Sequence, residues 1–292
     1  MESVHTHRPS LGIGTAGFLR QYGIMADEFR PAPPATILRE SLLRGIRYID
    51  TAAGYGRAEA AVIEQSGSIR RQAVRVCTKL TEDILVYRVE ETIWTFRPVE
   101  IDTLLIHSAT PRALTNPGIV ETLIRAKERR WVRRIGASTY GVDTAALALS
   151  QPWCDVVQVE HSLLNPSVLR AVNTIKRPHQ EIVARSILCQ GLLTDRRAFA
   201  SHIEPECVSL IDRIASLADS WGISLPELAI RYALDSPGVD VVIVGLSRID
   251  EIETAIASQR RPSLSEEQLD SLAEFNCSDQ DWVHPQRWAV AR

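Results

Sequence analysis

The stretch that best predicts the fold is Arg47-Tyr48-Ile49-Asp50-Thr51-Ala52-Ala53-Gly54-Tyr55-Gly56. It begins as an apolar, strand-like run, and the carboxylate of Asp50 stands where that strand ends. A glycine-flanked loop follows and carries Tyr55. Two further strand-like segments downstream also end in ionisable side chains. This pattern predicts a catalytic rim, built where several strands end.

The composition is that of an ordinary globular protein. The chain has 292 residues, of which 45% are hydrophobic and 24% charged, and we expect one domain over residues 1–292. The net charge of -3 favours neither nucleic acid nor an anionic membrane, and no apolar run reaches the ~18 residues of a membrane-spanning helix. The five cysteines form no C-x-x-C pair, which predicts reduced thiols and a cytoplasmic protein. The basic pairs Arg129-Arg130 and Arg133-Arg134 are interpreted as the solvated end of a helix beside a strand.

Strand-like segments alternate with helical ones along the chain. The predicted strands are Leu11–Thr15, Arg47–Asp50, Val74–Thr78, Ile101–Ile106, Ile135–Ser138, Asp155–Val159, Glu181–Ser186 and Val239–Val244. Their spacing is the period of β/α units in a parallel sheet. Eight units predict a closed (β/α)8 TIM barrel, whereas an open doubly wound sheet is disfavoured by the lack of a G-x-G-x-x-G turn. The tail over residues 276–292 is expected near the barrel mouth.

Three consecutive strand ends carry Asp50, Lys79 and His107, and Tyr55 lies in the loop after the first. In a parallel barrel these ends share one face. A cation beside a phenol lowers its pKa from about 10, and a carboxylate keeps that cation charged. The set therefore predicts a tuned general acid-base with a pocket for a developing alkoxide. Hydrolysis and metal binding are not expected, because the sequence has no nucleophile elbow and a lysine between two ligands makes a poor metal site.

With these motifs the chain resembles an aldo-keto reductase from Leu11 to about Ala257. The family's Asp, Tyr, Lys and His tetrad matches the four residues just named. Two more segments resemble family signatures, residues 11–16 (Leu-Gly-Ile-Gly-Thr-Ala) and residues 135–138 (Ile-Gly-Ala-Ser). Residues 184–193, with Ala-Arg-Ser and then Gln-Gly-Leu-Leu, resemble a bacterial subgroup.

The resemblance implies an NAD(P)H-dependent oxidoreductase. Hydride is expected to pass between the nicotinamide and the carbonyl carbon of an aldehyde, ketone or sugar-like substrate, while Tyr55 protonates the oxygen. The expected cofactor is NADP(H), with NAD(H) as the alternative, lying across the barrel mouth without a Rossmann domain.

The resemblance also implies which residues hold the cofactor. Ser138 and Gln158 match two partners of the nicotinamide carboxamide, and Thr139 stands where the family has asparagine. Arg185 stands where the family stacks a tyrosine under the nicotinamide, and a guanidinium can also stack on a ring. Arg248 could pair with a 2′-phosphate or be a surface arginine at a helix start. The other implied contacts are Gly14, Thr15, Ala16, Asp50, Ser186, Leu188, Gln190, Gly191, Gly245, Leu246, Ser247 and Glu251.

Two other functions are compatible with the same residues. The protein could be a catalytically silent regulator that binds nicotinamide, which the intact tetrad disfavours. It could also be a barrel lyase or isomerase that uses the same acid-base group without net redox change. The sequence predicts neither the physiological substrate nor the oligomeric state.

Overall fold

The computed structural model describes residues 8–18, 23–24, 31–199 and 205–284. Within these ranges, eight parallel strands close into a barrel in chain order, and the last strand pairs with the first. The strands are β1 (Ser10–Gly14), β2 (Tyr48–Asp50), β3 (Arg75–Leu80), β4 (Ile101–Ile106), β5 (Val132–Ser138), β6 (Val156–Glu160), β7 (Glu181–Arg185) and β8 (Val241–Gly245). The predicted (β/α)8 barrel is therefore confirmed, and the open doubly wound sheet is excluded.

Helices on the outside of the barrel connect the strands. They are α1 (Pro34–Leu43), α2 (Arg57–Glu64), α3 (Ser66–Arg71), α4 (Glu82–Thr95), α5 (Pro111–Thr115), α6 (Pro117–Glu128), α7 (Val142–Ser150), α8 (Ser167–Asn173), α9 (Pro205–Ser220), α10 (Leu225–Leu234), α11 (Ile249–Arg260) and α12 (Glu266–Ala273). The start of α12 is capped, because Ser265 and Gln268 exchange side-chain hydrogen bonds with each other's backbone amide. At α10, Ser224 Oγ accepts from the Glu227 amide. None of the helices described here is long and apolar enough to cross a membrane.

The strands bury alternate residues on opposite sides, as the two-residue period of a strand requires. In β2, Ile49 packs into the large apolar cluster that the barrel shares with the helices. Its neighbour Tyr48 belongs to a separate inner cluster. That inner cluster consists of Tyr48, Cys77, Leu105, Val156, Val183, Val241 and Ile243. The residues two positions further along β2 and β3, Asp50 and Lys79, therefore point into the barrel at its mouth.

The opposite end of the barrel holds a network of ion pairs, and here one prediction was wrong. Arg129 and Arg130 follow α6 and are exposed, but Arg133 and Arg134 lie within β5, which begins three residues before the predicted start. The start was missed because two arginines interrupt the apolar pattern. Arg134 instead ion-pairs with Glu181 at the start of β7.

The same network includes a second arginine. Arg75 Nη2 lies 2.6 Å from a Glu181 carboxylate oxygen, and its Nε lies 3.1 Å from Asp102 Oδ2. Four strands, β3, β4, β5 and β7, are thus tied together at this end, away from the rim that carries the predicted site. The pairing lowers the pKa of Glu181, because hydrogen bonds and charge from Arg75 and Arg134 outweigh the effect of burial.

A second apolar cluster lies on the side of the barrel covered by α9, α10 and α12. Val283 is buried in it and Trp282 packs against it, so this part of the chain's end covers the helix layer. Residues 285–292, including Trp288, lie outside the described residues. The position of the whole 276–292 tail near the mouth, and the single domain over residues 1–292, stay predictions.

We expect Gly136→Ala to lower the free energy of unfolding by at least about 2 kcal/mol. A Cβ at this position of β5 would lie 1.8 Å from the backbone oxygen of Val156 in β6, so the two strands would have to separate. Gly67→Ala in α3 is the matched control, because its nearest neighbour is the end of the Arg71 side chain at 3.4 Å. Urea denaturation of both variants measures the difference, and equal stabilities would contradict the prediction.

Candidate active site

The four predicted catalytic residues meet at the C-terminal edge of the barrel. Asp50 is the last residue of β2, Lys79 lies in β3, and His107 directly follows β4. Tyr55 stands in the loop between β2 and α2, where its amide bonds the Ala52 carbonyl in a tight turn. The strand register, with Asp50 opposite Cys77 in β3, brings these side chains together.

Lys79 and Asp50 form a buried ion pair. Lys79 Nζ donates to Asp50 Oδ2 at 2.7 Å and to the Thr51 carbonyl at 2.8 Å. Lys79 is 1% exposed and Asp50 5%. Burial acts against the charge of Lys79, but Asp50, with smaller contributions from Tyr55 and Cys77, raises the pKa of the amine. The amine is therefore protonated and held in one direction.

Tyr55 lies beside this pair. Lys79 Nζ is 5.2 Å from the centroid of the Tyr55 ring, and the His107 ring meets the same ring edge-on at 5.7 Å. Burial raises the pKa of Tyr55, and the charges of Lys79 and Arg185 oppose that rise. Lys79 thus acts in the direction expected from the sequence, but burial outweighs it and the net shift is upward. At neutral pH the phenol keeps its proton and can donate it.

His107 is neutral in this site. Burial lowers its pKa to about 4, and the nearby charges of Lys79 and Arg185 act in the same direction. A neutral imidazole has one N–H donor and one lone pair. It can therefore donate a hydrogen bond to a carbonyl oxygen without competing with Tyr55 as the source of a proton.

Ser138 and Gln158 continue the polar network across the barrel mouth. Gln158 Nε2 donates to Asp50 Oδ1 at 2.8 Å, and Ser138 Oγ donates to Gln158 Oε1 at 3.0 Å. Both residues line the cleft described below. Thr139 does not, because it is buried and its hydroxyl turns inward to the Gln158 carbonyl at 3.4 Å.

Arg185, the last residue of β7, is fixed against the cleft wall. Its Nη2 donates to the Thr139 carbonyl at 2.6 Å, and its guanidinium carbon lies 4.1 Å from the centroid of the Tyr140 ring. Tyr140 was not among the predicted site residues. Its position directly after Ser138 and Thr139 at the end of β5 was the available signal.

One cleft of about 630 Å³ connects three of the four catalytic candidates, Asp50, Tyr55 and His107, to the start of α11. Its volume is in the range of ligand sites in proteins. Lys79 and Thr15, like Thr139, lie buried beneath its surface. The predicted residues that line the cleft are Gly14, Ala16, Asp50, Tyr55, His107, Ser138, Gln158, Arg185, Ser186, Leu188, Gln190, Gly191, Gly245, Leu246, Ser247, Arg248 and Glu251.

At the far end of the cleft, a carboxylate caps the start of α11, where Arg248 stands. Glu251 Oε2 accepts from the amides of Ser247 at 2.7 Å and Arg248 at 3.1 Å. Arg196 reaches across from the segment after β7 and bonds Ser247 Oγ at 2.8 Å and Glu251 Oε1 at 2.5 Å. Arg248 is half-exposed and pairs with Asp250, with Nε to Oδ1 at 2.9 Å. Arg196 was not among the predicted site residues. Its only distinguishing feature in the sequence is that it belongs to an arginine pair.

The fold agrees with comparisons to known proteins. The sequence matches the model of the aldo/keto reductase family over residues 10–276. It is 22% identical over 280 residues to the aldo-keto reductase YhdN of Bacillus subtilis (strain 168), which covers 83% of this chain and 84% of the relative. It is also 22% identical over 270 residues to the L-galactose dehydrogenase of Arabidopsis thaliana, with 85% and 83% covered.

A solved structure supports the same fold. The aldo-keto reductase from Klebsiella pneumoniae, determined in complex with NADPH, is similar with a TM-score of 0.68 and 20% sequence identity over 92% of each chain. At this level of identity the likeness establishes the architecture of the barrel.

We expect Asp50→Asn to lower the free energy of unfolding by about 3–5 kcal/mol, because it leaves the buried charge of Lys79 uncompensated. The double variant Asp50→Asn/Lys79→Met should lose less than this single variant, since it removes the unpaired charge as well. Glu121→Gln, which breaks the exposed pair with Arg125, is the control and should cost about 0.5 kcal/mol or less. Urea denaturation compares the three, and a double variant less stable than Asp50→Asn alone would contradict the prediction.

Proposed function

The chain belongs to the aldo/keto reductase family and is an oxidoreductase, and we propose that it transfers hydride between NADP(H) and a small carbonyl or alcohol compound. One observation carries the proposal. A protonated phenol, a buried cation and a neutral imidazole stand together at one end of a cleft. The other end of that cleft is a helix start with arginines.

The donors along the cleft fit a nicotinamide dinucleotide. The hydroxyl of Ser138 and the amide of Gln158 suit a carboxamide, which both donates and accepts hydrogen bonds. Because Glu251 already accepts from the amides of Ser247 and Arg248, the guanidinium of Arg248 is the group we assign to a phosphate at the far end. That the Klebsiella pneumoniae relative was determined with NADPH supports the choice of cofactor. When bound, the reduced cofactor supplies a hydride to the carbonyl carbon.

In this proposal Tyr55 donates its proton to the carbonyl oxygen as the hydride arrives. Lys79 then stabilises the phenolate left on Tyr55 by its charge, and Asp50 keeps Lys79 protonated and aimed. Neutral His107 donates its N–H to the same oxygen and orients the carbonyl. The reverse reaction uses the same groups, with the Tyr55 phenolate as the base.

We expect Tyr55→Phe to reduce turnover by about 100- to 10,000-fold, since it removes the proton donor and leaves the ring in place. Oxidation of NADPH is followed with a panel of aldehydes, ketones, keto-sugars and imines, and with NADH in parallel. The affinity of the variant for NADPH should be unchanged. Tyr87→Phe, at a highly exposed tyrosine of α4, is the matched control and should leave turnover unchanged.

The same assay distinguishes the proposed function from the two alternative functions. Unchanged turnover in Tyr55→Phe would overturn the proposed mechanism. Tight cofactor binding without turnover of any compound would favour a regulatory protein that binds nicotinamide. Product formation without consumption of NADPH would favour a lyase or isomerase.

Cofactor preference gives a second test at the far end of the cleft. We expect Arg248→Ala to raise the Kd for NADPH by about 10-fold, because it removes a charge-assisted contact to the 2′-phosphate, and to leave the Kd for NADH unchanged. Arg260→Ala, at the exposed end of the same helix, is the control. Fluorescence titration measures both constants. An equal rise in the Kd of both cofactors would show that Arg248 acts on the helix. No change in either Kd would show that Arg248 is a surface arginine.

A further inference from the structure

A second buried ion pair faces the first across the barrel mouth. Glu160 and Arg185 are register partners at the ends of β6 and β7, and Glu160 Oε2 lies 3.9 Å from Arg185 Nη2. Their side chains are 7% and 14% exposed. Glu160 Oε1 accepts from the Gly141 amide at 2.9 Å, which fixes the carboxylate. Its Oε2 makes no hydrogen bond to any residue that the structure describes, so its interaction with Arg185 is electrostatic.

The guanidinium is held in one orientation at the cleft surface. It lies over the Tyr140 ring, donates to the Thr139 carbonyl, and reaches Ser186 Oγ from Nη1 at 3.1 Å. Because these contacts already restrict the side chain, Arg185 loses little further conformational entropy when it interacts with another group. Because Arg185 lines the cleft, its charge faces the space that a bound ligand would occupy.

Hydrogen bonds connect the two ion pairs. Arg185 Nε lies 3.4 Å from Ser138 Oγ, which donates to Gln158. Gln158 in turn donates to Asp50, the partner of Lys79. Two cations, on β3 and β7, thus stand on opposite sides of the mouth, each with its own carboxylate.

Both cations act on Tyr55 and His107, which form the proton-donor site of the proposed reaction. The charged and titratable groups around Tyr55 are Lys79, Asp50, Arg185 and Tyr140, and those around His107 are Lys79, Asp50 and Arg185. At both sites Arg185 favours the form with one proton fewer. It does so from the side opposite Lys79.

We propose that Arg185 is a positioning residue of the reaction, which supplies a second positive charge to the proton-donor site, and that Glu160 moderates this charge. The inference rests on the proposed function. It assigns to Arg185 an electrostatic role in addition to its contacts with the cleft wall.

The proposal predicts opposite effects for two changes that each remove one charge. Arg185→Gln removes the positive charge, so the pKa values of Tyr55 and His107 rise. Glu160→Gln removes the moderating negative charge and keeps the acceptor for the Gly141 amide, so both pKa values fall. Arg185→Lys keeps the charge and should keep both pKa values close to those of the natural protein.

The first experiment needs neither cofactor nor turnover. The titration of His107 is followed by NMR in the natural protein and in Arg185→Gln and Arg185→Lys, with His107→Gln to assign the signal. We expect the His107 pKa, about 4 in the natural protein, to move upward in Arg185→Gln and to stay near its original value in Arg185→Lys. An unchanged value in Arg185→Gln would overturn the proposal, whether or not the protein reduces carbonyls.

The second experiment measures turnover of NADPH and a carbonyl substrate against pH. Because reduction requires protonated Tyr55, turnover falls at high pH, and this alkaline limb of the pH profile reports the pKa of Tyr55. We expect the limb to move to higher pH by roughly half a unit in Arg185→Gln and to lower pH in Glu160→Gln.

The direction of these shifts separates charge from structure. Opposite shifts of the two variants, with rescue by Arg185→Lys, would support the proposal. Lower turnover with unmoved limbs, or shifts of the same sign in both variants, would overturn it in favour of a structural role. The proposed function is tested independently of the role of Arg185, and it is wrong if no carbonyl compound oxidises NADPH.

Discussion

The buried pair of Lys79 and Asp50 is the interaction on which the site depends. A protonated amine that is 1% exposed is stable only beside an opposite charge, and Asp50 can provide it only while β2 and β3 keep their register. Asp50 in turn accepts from Gln158 on the far side of the barrel. The pair therefore couples the closure of the barrel to the position of the charge that faces Tyr55. A barrel with the wrong register would bury two unpaired charges, so the geometry that the chemistry needs is also the stable one.

The barrel and the residues at its rim could be predicted from the sequence because both follow from strand periodicity. The site residues stand two positions beyond residues of the inner cluster, as Lys79 does beyond Cys77 and Gln158 beyond Val156. The same rule places Arg185 beyond Val183. What periodicity does not give is which rim residues pair. The ion pair of Arg185 with Glu160, and the position of Tyr140 against the guanidinium, depend on register between strands and on loop conformation.

Two features of the structure depend on contacts that local sequence patterns do not show. Arg134 was read as part of a helix end because two arginines interrupt the apolar pattern of β5, and its partner Glu181 is too distant in sequence to give a local signal. Glu251 was predicted to contact the cofactor, and its bonds to the amides of Ser247 and Arg248 show that it also caps α11. Sequence patterns identify local elements well. Long-range charge pairing decides which polar groups those elements leave available.

The charges around the rim also determine which group can give up a proton. Burial makes a positive charge on the imidazole costly, and the two nearby cations add to that cost, so His107 stays neutral. The same cations act against the rise that burial causes in the pKa of Tyr55, so the phenol keeps its proton but its anion is stabilised. If the proposed reaction takes place here, the proton therefore comes from Tyr55, and His107 is limited to holding the oxygen. This division of roles follows from the placement of charge and would hold for any carbonyl substrate that the cleft admits.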